Sequence, residues 1–512
     1  MKKVITAILL AMSLAGGAMG ETREFVHPGM SYTADDLARM RDLIDREIEP
    51  AYSTFLALQA SSYSKITADT FSDITAIAEG KHNNTVGVDG RKAHDLALLY
   101  RLTDDTRYAE EALKHLNRYN NLTNVSCNGT GPLDAGKVYL LLEAAELMRD
   151  YPGWAAADQE AFKAMLVHPG YSKTAYPSDD ASYDESLNNI TFYWNISNLD
   201  PTRWGNQGLF AARAMMAMAI YLDNESMYDR VVRYMNAQGA ADDDLPFHKI
   251  VIARGGVKES SDYMITYNFK SYDADEQFIS DAAIPYYIYG NGQCEESCRD
   301  QAHSMVGLGQ LVDIAEMAWN QGDDLYAAFD NRILTGLEWS LRYNLSYLQN
   351  PEDAWEPSGY SETEDECTFD NGMFYGAYTR SQRWHALKPY DGDRASSLNA
   401  VRYLQQALAH YQHHTTLATS AYQWLSDAAA YQLANSDNIE NWGTSGHHYE
   451  WKGWGTLTMI EPEIAGGTTT EVSGVAVNAA TEPPVAYDTL GRRVSPDTKG
   501  LIIVNGVKVV NR

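Results

Sequence analysis

Three stretches of this chain repeat one pattern, and that pattern limits what the chain can fold into. The stretches run from Ala97 to Tyr119, from Ala217 to Met235 and from Glu316 to Trp339. Each begins as a helical run that ends in small residues. A short acidic or amide turn follows, and a tyrosine (Tyr108, Tyr228 or Tyr326) opens a second run. Apolar residues recur at helical spacing on both sides of each turn, so each stretch reads as a helical hairpin. A single hairpin cannot bury its apolar face alone. Stacked hairpins can, and they build a ring or a solenoid. The same spacing predicts helix over Ala34–Leu58, Leu96–Tyr119, Asp134–Tyr151, Asn206–Met235, Asp300–Asn344 and Ser396–Ala434, with Ser31 and Thr33 opening the first. The chain holds 34 Tyr and 11 Trp. Their abundance in the connecting loops favours a ring with a loop-lined mouth that binds sugar.

The two ends read differently. Lys2 and Lys3, the apolar run from Val4 to Leu14 and the small residues Ala18-Met19-Gly20 form a secretory signal over residues 1–20. That run is too short to span a bilayer, and no later segment is apolar enough to do so. The expected location is secreted or periplasmic. At the other end, Gly466-Gly467-Thr468-Thr469-Thr470 is a linker, and Asn505-Gly506 between β-branched runs predicts a β-hairpin. Residues 464–512 thus form a short β-rich tail after a domain of residues 21–463. Tyr487, Gly491, Arg492, Arg493, Val494, Lys499, Gly500 and Val504 to Gly506 resemble the sorting-type C-terminal segments of secreted bacterial proteins. That resemblance implies surface retention rather than catalysis.

Forty basic residues stand against 69 acidic ones, a net charge of −29. This excludes nucleic acid as a natural partner. A polyanionic substrate would need a locally positive cleft on the negative body. Cys127, Cys294, Cys298 and Cys367 allow three disulfide pairings, and Cys294 and Cys298 are spaced to bridge at a helix start or to bond elsewhere. None of the cysteines or histidines has convincing zinc spacing.

Four regions carry the candidate chemistry. The densest is Asn291 to His303. With a helix beginning near Glu295, Glu296, Arg299 and His303 fall on one stripe, with Asp300 a step round from Glu296. Such a stripe normally buries apolar residues, so ionisable groups there point to a lined cleft. The plainer reading pairs Arg299 with Glu296 or Asp300 and leaves His303 as a cap. Tyr286, Tyr287 and Tyr289 precede the stripe, and a phenol beside Arg299 would have a lowered pKa. The second region is Trp204-Gly205-Asn206-Gln207, where Asn206 suits a helix cap or an amide donor. The third, Phe247-His248-Lys249 with Arg254 and Lys258, is a basic, loop-like stretch. The fourth, Asn441-Trp442 to His447-His448-Tyr449-Glu450-Trp451, fits an aromatic, polar rim better than a metal site.

These residue types suit β-elimination in a uronic-acid polymer. The C5 proton lies beside a carboxylate and is barely acidic while that carboxylate is negative. Amide and guanidinium donors neutralise it and stabilise the developing enolate-like charge. A His or Tyr then removes the proton and another group protonates the leaving O4. No cofactor is needed. The candidate catalytic residues are Asn206, His248, Arg299 and His303. The candidate substrate-binding residues are Trp204, Gln207, Lys258, Tyr286, Tyr289, Glu296, Asp300, Trp442 and His447.

The pieces Asn291 to His303, Ala315 to Tyr326 and Asp330 to Asn344, with Trp204 to Gly208 and Ala217 to Asp229, resemble the alginate-lyase superfamily of helical-toroid polysaccharide lyases. The likeness extends over roughly Tyr32 to Gly455 and is nearest to polysaccharide lyase family 38, which acts on alginate or glucuronan. It implies an all-α fold, an (α/α) toroid that is an incomplete barrel of helical hairpins, and lyase activity on a β-1,4-linked uronan. It also implies neutralising roles for Asn206 and Arg299 and a catalytic role for His303 or His248. The chain departs from better-known alginate-lyase branches. It has Gly-Asn-Gln where they carry Asn-Asn-His, and His303 then Val306 where they place a tyrosine after the arginine. The other functions considered are a glycoside hydrolase, using paired carboxylates such as Glu296 and Asp300 or those of Asp242 to Asp244, and a non-catalytic polysaccharide-binding protein.

Overall fold

The structure is a computed structural model. It describes residues 23–78, 82–126, 131–167, 191–196, 199, 205–238, 250–253, 264–267, 282–358, 388–395, 398, 402–435 and 451–460, and the tail strands within 486–511. The described part up to residue 460 is mostly helical. The labels used here are α1 (Ala34–Asp45), α2 (Ala51–Ala60), α3 (Asn83–Thr103), α4 (Thr106–Asn117), α5 (Tyr139–Met148), α6 (Ala156–Leu166), α7 (Gly205–Tyr221), α8 (Glu225–Met235), α9 (Gln301–Asn320), α10 (Ala328–Gln349), α11 (Leu404–His413) and α12 (Gln423–Asn435).

The three repeated stretches are the hairpins α3–α4, α7–α8 and α9–α10, and they turn by one device. After each first helix one residue takes a left-handed conformation: Asp104 (φ 56°), Asp223 (φ 54°) or Gly322 (φ 91°). That conformation returns N–H groups to the last carbonyls of the helix. The Asp104 N–H reaches the Tyr100 carbonyl at 2.8 Å, and the Asn224 N–H reaches that of Ala219 at 2.8 Å. An acidic or amide side chain then takes a free N–H at the start of the next helix. Asp105 accepts from Arg107 N at 3.0 Å and Asn224 from Met227 N at 3.0 Å, whereas in the third hairpin Asp324 accepts from Ala327 N at 2.9 Å, just ahead of α10. Such a cap contributes about 1 kcal/mol. Two of the repeated tyrosines tie elements together: Tyr228 donates to Asp323 at 2.9 Å, and Tyr326 to Glu316 at 3.0 Å.

Neighbouring first helices pack in chain order, α3 on α5, α5 on α7 and α7 on α9. Every residue of α7 except Gln207 is buried, as expected of a helix enclosed on all sides. In the outer helix α4, by contrast, one face is buried through Ala109, Ala112, Leu113 and Leu116. The row returns to its beginning. Tyr403 and Gln406 of the α11 segment donate to the carbonyls of Met305 and Val312 on α9, at 2.8 and 3.3 Å. The turn Gly455–Thr458 packs on α2, with Thr456 and Thr54 hydroxyls 2.6 Å apart.

A polar cluster lies buried among the first helices. Arg213 donates to Asp313 at 2.7 Å, Lys452 pairs with the other Asp313 oxygen, and Lys452 also reaches the Tyr139 hydroxyl at 3.1 Å. Tyr139 in turn donates to Glu143 at 2.7 Å. These charges tolerate burial because each is paired and hydrogen-bonded.

Several expectations need correction. The span Ala34–Leu58 is two helices, broken before Pro50, which has no N–H to continue the ladder. A two-stranded parallel pairing, Ala76–Ala78 with Asn124–Ser126, falls inside the helical part with no sequence signal for it. The basic stretch expected as a loop runs into an antiparallel pair, Ile250–Ala253 with Met264–Tyr267. The turn expected at Asn505-Gly506 lies outside the described residues. The signal segment, residues 1–20, lies outside the described residues.

Candidate active site

The motif Asn291 to His303 does not form one helix. Glu295–Cys298 is a 3-10 turn, and α9 begins only at Gln301. Asp300 between them is fully extended (φ −170°, ψ 160°) and caps α9, accepting from His303 N at 2.7 Å. The break follows from competing caps. Asp300 takes the N–H of His303, and Asp393 takes those of Gln301 and Ala302 at 3.0 Å each. No local pattern announces Asp393, because it arrives from far along the chain.

The break sets the charged groups in a line of contacts. Glu296, fully buried, accepts from the Asn206 N–H at 3.2 Å on one oxygen and from Arg299 Nη1 at 3.0 Å on the other. Arg299 Nε lies 3.7 Å from Asp300. Asp300 holds His303 Nδ1 at 2.6 Å. Asn206, Glu296, Arg299, Asp300 and His303 therefore form one connected set. Two of its members, Arg299 and His303, have side chains 31% and 41% exposed.

Asn206 does not cap α7. It is the second residue of that helix, and the carboxylates of Glu295 and Glu296 take the free N–H groups of Gly205 (2.8 Å) and Asn206. The acids suit that end of a helix, where the backbone dipole is positive. The Asn206 side-chain nitrogen, Nδ2, is buried and has no hydrogen-bond partner among the described residues. Leaving such a donor unsatisfied costs about 1–3 kcal/mol.

Burial is the largest influence on Asp300 and acts to raise its pKa. Hydrogen bonds from the ring and backbone N–H of His303, with the charges of His303 and Arg299, outweigh it and hold the carboxyl below its ordinary value. An ionised Asp300 accepting from Nδ1 leaves Nε2 as the basic nitrogen of His303. Tyr287 behaves otherwise than expected. Tyr287 is enclosed, donating to the His303 and Ser304 carbonyls at 3.2 Å each. Burial, and then the charge of Glu296, push its pKa well up rather than down. Gly307 makes room for this phenol, since a Cβ there would lie 1.8 Å from the tyrosine oxygen. Tyr286 and Tyr289 are half-buried just before the motif, and Gln207 is half-buried beside Asn206. Cys294 and Cys298 do not bridge each other, and Cys294 lies 3.7 Å from the Ser340 hydroxyl. His248, Lys258, Trp204, Trp442 and His447 lie outside the described residues, as do Cys127 and Cys367. Sequence reasoning missed Glu295 and Asp393 as the groups that fix the starts of α7 and α9.

The class that emerges is that of the polysaccharide lyases. Residues 72–245, about a third of the chain, match the family model described as Alginate lyase. The matched segment contains Trp204, Asn206 and Gln207, while Arg299 and His303 lie beyond it. No curated protein matches the chain. Among solved structures, an alginate lyase from Bacteroides ovatus is 12% identical, covering 83% of this chain and 100% of its own, with a TM-score of 0.45. Alginate lyase A1-III from Sphingomonas species A1 is 13% identical, covering 87% and 100%, with a TM-score of 0.41. A variant of A1-III complexed with tetrasaccharide is 13% identical, covering 84% and 94%, with a TM-score of 0.44. All three scores fall below 0.5, so the class rests on the family match.

Proposed function

We propose that this chain cleaves a β-1,4-linked uronic-acid polymer, alginate or glucuronan, by β-elimination, with Asn206, Arg299 and His303 at the reaction centre. The observation that carries this reading is the buried Nδ2 of Asn206, without a partner among the described residues and one carboxylate away from the Arg299 guanidinium. A substrate carboxylate set between the two gains donors on both sides. Its charge is then met as the C5–H bond breaks and the enolate-like intermediate forms. Glu296 holds the guanidinium in place, and Asp300 orients the imidazole so that Nε2 faces away from it as the base. The C4–O4 bond then breaks, C4=C5 forms, and O4 takes a proton. His248 remains the other candidate for a proton transfer. Substrate is also expected to meet Trp204, Gln207, Lys258, Tyr286, Tyr289, Trp442 and His447.

The hydrolase alternative is weakened by the same contacts. Glu296 is buried and spends both oxygens on Asn206 and Arg299, and Asp300 is committed to His303. Hydrolysis needs two carboxylates facing the bond. The proposal includes the finer assignments: an (α/α) toroid as the architecture, kinship with polysaccharide lyase family 38, export through residues 1–20, and retention through residues 464–512. The test is a screen of mannuronan, guluronan and glucuronan for near-ultraviolet absorbance and for reducing ends. Both signals rising together on one of them supports a lyase. Reducing ends without absorbance would make the chain a hydrolase, and neither signal on any uronan would leave it a binding protein.

A further inference from the structure

A second groove lies outside the cluster just described, between α10 and the segment that leads into α12. It encloses about 600 Å³ and is lined by Trp339, Arg342, Trp355, Leu417 and Trp424, among others. That volume lies within the usual range for ligand sites, roughly 300–1,000 Å³. Trp339 and Trp355 meet edge to face at 5.6 Å. The exposed guanidinium of Arg342 lies 4.4 Å over the Trp355 ring and 6.0 Å from that of Trp424. Arg342 has no carboxylate partner among the described residues, which is notable in a chain of net charge −29. Two carboxylates line the groove, Glu338 and Asp330. Glu338 is spent on the start of α12, its oxygens accepting from Trp424 N at 3.1 Å and Leu425 N at 2.8 Å. That pair of bonds fixes the two walls of the groove against each other.

We propose that this groove is a second carbohydrate site, distinct from the reaction centre, that holds a uronate-bearing chain through Arg342 and the indole faces of Trp355 and Trp424. Sugar rings present C–H faces that pack on indoles, and their carboxylates suit a planar, multiply donating cation. None of the groove residues named here belongs to the Asn206–His303 cluster. The choice of a uronate rests on the substrate reading above. The groove would keep the enzyme on a polymer between cuts, adding local concentration without touching the chemistry.

The experiment uses the full chain and three variants, Arg342→Ala, Arg342→Lys and Trp424→Ala. Each is run through native gels containing alginate, glucuronan or a neutral glucan, and its turnover is measured on short uronate oligomers. Wild type is expected to be slowed by a uronan gel and not by the neutral glucan. Arg342→Ala and Trp424→Ala are expected to weaken that retention about tenfold, with Arg342→Lys in between, at unchanged kcat on the oligomers. Unchanged retention in Arg342→Ala and Trp424→Ala, equal retention by the neutral glucan, or no retention of wild type would overturn the proposal. Turnover that persists with unchanged retention would end the groove alone. Retention dependent on Arg342 without turnover would end the lyase reading and leave the groove.

Discussion

The backbone of Asn206 and the guanidinium of Arg299 meet on opposite oxygens of one buried carboxylate, Glu296. The backbone amide at the start of α7 and the cation just before α9 are thus joined through one buried side chain. In the proposed reaction, donors held in place before substrate arrives are the condition under which electrostatic stabilisation is strongest.

Arg299→Ala and Asn206→Ala should each lower turnover about 10²–10³-fold, the usual effect of removing one such donor. Their stabilities should differ from an ordinary buried substitution. Asn206→Ala removes a polar nitrogen that is buried without a partner among the described residues, so its melting temperature should hold or rise. Thermal unfolding of both variants beside their kinetics checks this. A large fall in melting temperature for Asn206→Ala would mean the amide is structural.

Asp300 and His303 should act as a unit. His303→Ala should cost about 10²–10⁴-fold, the range for a general base. Asp300→Ala should cost less alone and little more in the double variant, because the carboxylate acts through the ring it orients. Multiplicative losses would show that the two act independently. An active His303→Ala would shift the proton transfer to His248 or a tyrosine.

Asp313 pairs with both Arg213 and Lys452 in the buried cluster among the first helices. Asp313→Ala should destabilise the protein by about 3–5 kcal/mol, since it strands two buried cations. Urea unfolding measures the loss. A change below about 1 kcal/mol would mean that water reaches the cluster.

Two groups give stability opposing dependences on pH. Burial pushes Glu316 up to about 7 from an ordinary 4.5, against the hydrogen bond from Tyr326. Between those values the unfolded chain has lost the proton and the folded chain keeps it, so stability falls as pH rises from 4.5 to 7. Burial, with the neighbouring His414, lowers His410 from 6.5 to about 3. There the unfolded chain is protonated and the folded one is neutral, so stability falls as pH drops through that window. Glu316→Gln should remove its part of the slope, at most about 1.4 kcal/mol per pH unit. Urea midpoints at pH 5 and pH 7 read the difference, and an unchanged slope would place the proton uptake elsewhere.

Much of this was legible in the chain itself. The repeated turns at Asp104, Asp223 and Gly322 were local signals, and local signals predicted the hairpins. The pairings of Arg299 with Glu296 and Asp300 were also readable, because the partners lie at most three positions apart. What the sequence hid was non-local. It gave no sign that Glu295 and Glu296 cap α7, or that Asp393 caps α9, and without those caps the motif reads as one continuous helix. The rise in the Tyr287 pKa was hidden for the same reason. The tyrosine expected to meet Arg299 lies, in the fold, against a carboxylate and out of water.

The role of charge cancellation can be isolated with two forms of one substrate, the free uronan and its methyl ester. Esterification removes the negative charge that Arg299 is held to offset. Comparing wild type with Arg299→Ala by near-ultraviolet absorbance, the loss on the free acid should be about 10²–10³-fold. On the ester it should shrink below about tenfold. Equal losses on both forms would show that Arg299 does something other than neutralise a carboxylate, and the mechanism proposed here would fall.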